Sequence, residues 1–167
     1  MKDTLRVLVS WKCNLKCSYC CNEQERFRKD IRPVSIDDIE WGKYNVYCIS
    51  GGEPLLNLAK VYGVLGRCDK SKMIVLYTNG ILLNRSYAHA LAIHGVKAIN
   101  VGLHNPKQFV SLIKQVTEAT AETNLSVRFH AQDIYAEILT TEFPSVSFRF
   151  WKMDDCERDN EDRVILT

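Results

Sequence analysis

The run Leu5-Arg6-Val7-Leu8-Val9-Ser10-Trp11 (5–11), followed without a break by Lys12-Cys13-Asn14-Leu15-Lys16-Cys17-Ser18-Tyr19-Cys20-Cys21 (12–21), decides how the rest of the chain is read. The first half is a short apolar, β-branched stretch that reads as a strand. The second half is a polar loop carrying four of the chain's seven cysteines within nine positions. An odd cysteine number with this clustering suits metal binding in a reducing compartment better than a disulfide framework.

Five further β-rich runs follow: NVYCIS (45–50), MIVLYT (73–78), AINVGL (98–103), LSVRFH (125–130) and VSFRFW (146–151). Several are apolar at nearly every position, as in parallel strands covered on both faces. Between them, apolar residues at three- and four-residue spacing predict helices over 57–70, 84–95 and 106–122, with Gly95 placed to stop one and Pro106 to start the next. A short helix is expected over 35–43, with Ser35 as N-cap, and a weaker one over 133–143. Residues after Trp151 read as a charged tail. Alternating βα units give an α/β fold with a mostly parallel sheet, and six units are too few for a closed eight-stranded barrel. The expectation is a partial (β/α)6 barrel in one domain, residues 1–167, with its core over about 5–151.

The composition, 46% hydrophobic and 25% charged, fits one globular core. Twenty-two basic and 20 acidic residues leave a formal charge of +2 spread along the chain, which implies no strong field for nucleic acid or a lipid surface. No apolar run is long enough for a membrane span, and the N-terminus lacks the apolar core of a signal peptide, so a cytoplasmic location is expected.

In the cysteine loop, spacings of three and two residues let Cys13, Cys17 and Cys20 surround one metal centre. Soft thiolate ligands select an iron–sulfur cluster or zinc. A zinc site would need Cys21, Cys48, Cys68 or Cys156 as a fourth ligand, and structural zinc sites usually pair their ligands as two knuckles. Three ligands to a four-iron cluster leave one iron open. Cys21 lies outside the spacing and is read as a non-ligand, Cys48 and Cys68 as small core residues, and Cys156 is too isolated to build an auxiliary cluster.

Other chemistry-bearing residues fall at strand ends. Ser50-Gly51-Gly52-Glu53-Pro54 follows the second run, and paired glycines there let backbone approach a neighbour with no Cβ in the way. Thr78-Asn79-Gly80 ends the third and also fits a simple turn; Asn100 to His104 ends the fourth. Arg128 and His130 share one face of the fifth by period two, and Arg149 on the sixth could reach substrate or solvent.

CxxxCxxC after an opening strand, with GGEP after the next, strongly resembles the radical S-adenosylmethionine (radical SAM) superfamily. The resemblance implies a 4Fe-4S cluster on Cys13, Cys17 and Cys20, and S-adenosylmethionine on its open iron. It further implies cofactor contacts from Tyr19, from Gly51, Gly52, Glu53 and Pro54, and from Thr78, Asn79, Asn100, His104 and Arg128. A serine that relatives often carry on the fourth strand falls here at Gly102. The expected chemistry is reductive cleavage of S-adenosylmethionine to a 5′-deoxyadenosyl radical, with a reducing partner such as flavodoxin or ferredoxin. A minimal barrel with an open side favours a protein or peptide substrate; a nucleotide-like small molecule, or a non-catalytic iron–sulfur or zinc module, are the alternatives.

Overall fold

The computed structural model describes residues 2–152 and 160–167. Eight strands, all parallel, form one sheet in the order β2-β8-β1-β3-β4-β5-β6-β7. They are β1 (Thr4–Leu8), β2 (Arg32–Val34), β3 (Val46–Ser50), β4 (Met73–Thr78), β5 (Ala98–Gly102), β6 (Ser126–Gln132), β7 (Phe148–Trp151) and β8 (Glu161–Leu166). The six runs read from sequence are the contiguous block β1-β3-β4-β5-β6-β7, each strand joined to the next through a crossover. The architecture is α/β, a partial barrel.

The helices are α1 (Glu25–Arg28), α2 (Leu58–Leu65), α3 (Arg85–Ile93), α4 (Phe109–Thr120) and α5 (Ala136–Glu142). Side-chain caps start two of them: Asn57 accepts from the Lys60 amide and Asn84 from the Tyr87 amide, satisfying amides the helix itself cannot. Gly95, at φ +97°, turns the chain out of α3 as its position predicted. The helix expected over 35–43 is instead two 3-10 turns, Ile36–Asp38 and Trp41–Lys43. Ser35 caps the first through the Asp37 amide, and Gly42 in the second offers no side chain to extend a helical face. No helix among the described residues is long and apolar enough to cross a membrane.

The alternation along β1 shows how the two faces divide. Leu5, Val7 and Val9 enter the main core with Leu76, Leu91 and Val116, whereas Leu8 packs with Phe27 and Ile31 on the opposite side. Core positions such as Leu76 and Leu91 are fully buried, and truncating either to alanine costs about 2–5 kcal/mol through lost transfer energy and a cavity.

Of the two additional strands, β2 and β8, the second corrects the reading of the C-terminal residues as a tail. β8 lies between β1 and β2, with Thr4 opposite Glu161 and Arg32 opposite Val164. Its first three residues are charged and masked its strand character; each finds a partner in the fold. Glu161 receives two hydrogen bonds from Arg6, Asp162 accepts from the Tyr44 hydroxyl at 2.8 Å, and the Arg163 guanidinium sits 4.9 Å from the Phe27 ring centre. Val164 and Leu166 are buried.

Candidate active site

Loops and side chains at the C-terminal ends of β1, β3, β4, β5, β6 and β7 surround a cavity of about 240 Å³. This is where a parallel α/β sheet gathers its functional groups. The cysteine loop forms one wall, and Cys13, Cys17 and Cys20 all line the cavity as free thiols. A turn with the Cys20 amide on the Cys17 carbonyl at 3.1 Å, and the Leu15 amide 3.4 Å from the Cys13 sulfur, shapes the loop. Burial, with Cys20 and Cys13 alongside, pushes the Cys17 thiol above its ordinary pKa. Among the described residues no three His, Cys, Asp or Glu side chains converge to hold a single ion. Three soft thiols spread over one cavity wall suit a multinuclear iron–sulfur group. Cys21 also lines the cavity and packs beside Leu8 and Phe27, Cys48 and Cys68 are buried in the fold, and Cys156 lies outside the described residues.

Gly51 and Gly52 approach the base of that loop. The Gly52 amide donates to the Ser10 carbonyl and the Glu53 amide to the Lys12 carbonyl, each at 2.8 Å. A Cβ on Gly51, whose φ is +142°, would lie 2.5 Å from the Ser10 oxygen, and one on Gly52 would strike the Lys12 carbonyl. Glycine is required because β1's exit and β3's exit run in contact. Both glycines still border the cavity.

Glu53 and Pro54, expected to meet a cofactor, do not line the cavity. Glu53 is fully buried, and its carboxylate takes Thr78 Oγ1 (2.7 Å) and the amides of Leu55 (3.0 Å) and Asn79 (2.8 Å). Burial drives its pKa up, opposed by those three donors. A carboxylate so surrounded is a brace that holds the end of β4, and Pro54 is buried at the start of the adjoining 3-10 turn. Through that brace Thr78 and Asn79 are set on the cavity wall, where Asn79 Nδ2 donates to Asn14 Oδ1 of the cysteine loop at 2.6 Å.

The opposite wall comes from β5, β6 and β7. Asn100, Gly102 and His104 line it, as do His130, Arg149 and Trp151. The Tyr19 hydroxyl lies 3.1 Å from His104 Nδ1 and 3.2 Å from the His104 carbonyl, and its ring centre is 5.5 Å from that of Trp151, so the cysteine loop is tied across the mouth. Burial raises the Tyr19 pKa to about 12 and lowers that of His104. The His104 ring occupies the space a Cβ on Gly102 would need. Arg128, one of the expected contacts, is absent from the wall: it is exposed, with Nε 3.4 Å from Ser147 Oγ. His130, one step nearer the strand end, takes the cavity position, while a guanidinium without an ionic partner stays in water.

Arg6 and Tyr77 were not anticipated. Arg6 lines the cavity from β1 although only 4% exposed, bonded through Nε (2.6 Å) and Nη2 (2.9 Å) to Glu161, with its guanidinium 4.3 Å from the Tyr77 ring centre. A lone charge amid Leu-Arg-Val-Leu-Val was the available signal; its partner lay in the segment read as a tail.

A model of the radical SAM superfamily matches residues 7–129. The chain is 36% identical over 118 residues to the GTP 3′,8-cyclase of Peptoclostridium acidaminophilum, covering 63% of this chain and 36% of that protein. It is 34% identical over 153 residues to the probable GTP 3′,8-cyclase of Methanococcus maripaludis strain C5, covering 78% and 50%. The chain thus spans half or less of the length of these curated relatives. Among solved structures, Streptococcus suis SuiB bound to S-adenosylmethionine matches with a TM-score of 0.58 at 16% identity, over 99% of this chain and 47% of SuiB. BtrN in complex with AdoMet and 2-DOIA matches with a TM-score of 0.54 at 21% identity, over 77% and 57%. At these identities the likeness is one of fold.

Proposed function

The chain belongs to the radical SAM superfamily, and from that premise we propose that it cleaves S-adenosylmethionine reductively to start radical chemistry on a nucleotide-like small molecule. The observation that carries the reading is the joint placement, around one cavity, of three free thiols in CxxxCxxC spacing and the Gly51–Gly52 backbone. Cys13, Cys17 and Cys20 would hold a 4Fe-4S cluster, a donor set of soft thiolates that fits it. When bound, such a cluster supplies the electron that breaks a carbon–sulfur bond of S-adenosylmethionine.

The chain's own side chains supply position and shelter. Gly51 and Gly52 leave room at the base of the cysteine loop, and Thr78 and Asn79 fix its flank. Asn100 and His104 offer polar atoms on the facing wall, and Tyr19 with Trp151 narrows the mouth and keeps water from the reacting region. A one-electron donor such as flavodoxin or ferredoxin is required. The nucleotide-like reading draws on relatives named as GTP 3′,8-cyclases. The peptide preference draws no such support, since the likeness to SuiB bound to its precursor peptide SuiA is at 20% identity and speaks for fold.

The test is anaerobic reconstitution with iron and sulfide, reduction with S-adenosylmethionine and GTP present, and chromatography for 5′-deoxyadenosine. Formation of 5′-deoxyadenosine that is lost in Cys17→Ala is expected. A loaded, reduced protein that yields none, with or without GTP, would overturn the reading.

A further inference from the structure

The described residues that line the cavity include no aspartate or glutamate. Their two formal charges, Arg6 and Arg149, are in different circumstances. Arg6 is neutralised by the paired hydrogen bonds to Glu161. Arg149 is accessible to solvent and has no ionic partner among the described residues, yet it borders the cavity. It stands opposite His130 across the β6–β7 pair, so the two side chains are same-face neighbours. Trp151, two residues further along β7, presents its ring to the same cavity.

Position separates this corner from the cysteine loop's glycine flank. Gly51, Gly52, Thr78 and Asn79 lie at the ends of β3 and β4, and Arg149 lies three strands beyond β4. At about 4.8 Å per strand that is roughly 14 Å along the sheet. A guanidinium held there, with no carboxylate among the described lining residues, is suited to bidentate contact with an oxyanion such as a phosphate.

We propose that Arg149, with His130 beside it, is the subsite for the phosphate of a nucleoside phosphate substrate, whose base lies towards Trp151. This rests on the reading of the chain as a radical SAM enzyme acting on a nucleotide-like molecule and names the group by which that substrate is recognised.

The test uses calorimetric titration of the reconstituted protein with GTP, guanosine and inorganic tripolyphosphate, for wild type, Arg149→Gln and Arg149→Lys. Wild type should bind GTP and tripolyphosphate and discriminate against guanosine. Arg149→Gln should weaken GTP by about 10- to 100-fold, the span expected when a charged hydrogen-bonding partner is lost, with Arg149→Lys between the two. Equal affinity of wild type for GTP and guanosine, or of wild type and Arg149→Gln for GTP, would overturn the proposal. So would a loss of S-adenosylmethionine affinity in Arg149→Gln as large as that for GTP, which would assign the oxyanion to the cofactor. Formation of 5′-deoxyadenosine by the wild type, scored separately, reports on the radical chemistry whatever the phosphate site does.

Discussion

Glu53 and Thr78, 25 residues apart in sequence, meet through a 2.7 Å hydrogen bond inside the protein, and the same carboxylate receives the Asn79 amide. The GGEP turn after β3 therefore fixes the geometry of the turn after β4, which in turn reaches the cysteine loop through Asn79 and Asn14.

Replacing Glu53 by glutamine should destabilise the fold by about 1–3 kcal/mol, because its NH2 sets two hydrogens where the protonated acid has one, against three donors already aimed at the group. The pH dependence has a definite sign. Burial raises the folded pKa above the unfolded value, so the stability contributed by the protonated group is complete in acid and lost as pH rises through the folded pKa. Thermal melts of wild type against Glu53→Gln should differ most at low pH, and a difference growing towards alkaline pH would contradict this account.

Asp162 has the opposite sign. Burial opposes its charge, but the Tyr44 hydroxyl with Lys2 and Lys43 outweighs it and holds its pKa below the ordinary carboxylate range. Its contribution is present above the unfolded pKa and lost as pH falls through the folded one. Protection factors of β8 amides, corrected for the intrinsic exchange rate, should fall in acid for wild type, with a weaker acid response in Asp162→Asn. Identical acid responses would show that Asp162 does not hold the strand.

Cutting the Arg6–Glu161 pair from one side leaves a buried guanidinium without its counter-charge. Glu161→Gln should cost about 3–5 kcal/mol in urea unfolding, and a double replacement by apolar residues should recover much of it. Equal costs for the single and double variants would argue that packing matters more than charge.

Gly102→Ser should displace the His104 ring, since the new side chain would occupy its place. The expected result is a weaker hold on Tyr19 and reduced S-adenosylmethionine affinity in equilibrium dialysis. If Tyr19→Phe leaves that affinity unchanged while Gly102→Ser lowers it, the effect passes through His104 alone.

Cys17→Ala should fail to take up colour on reconstitution with iron and sulfide, and wild type should melt higher loaded than apo, because a group bound only to the folded state stabilises it. An apo protein that melts with the loaded one would make the loop peripheral to the fold.

Six strands and the three long helices were legible because uninterrupted apolar runs and three-to-four spacing are direct consequences of two-sided burial and of an amphipathic face. β8 was not, because Glu161, Asp162 and Arg163 find their partners far away in sequence, and only the folded sheet brings Arg6 and Tyr44 beside them. In the site, cysteine spacing and paired glycines could be read locally, although the glycines' nearest neighbour proved to be the chain itself. Period two selected the right face of β6 but not the height along it, which is why His130 and not Arg128 borders the cavity.

The bond between Arg6 and Glu161 spans 155 positions, and it sets an order of events during synthesis. β1 is synthesised well before its neighbour β8, so a cationic side chain destined for the interior stays in water until that strand is made. Closing so long a loop is slow compared with forming the local βα units. Pulsed hydrogen exchange during refolding should protect β4 and β5 before β1 and β8, so that the seat of Arg6 beside the cavity forms late.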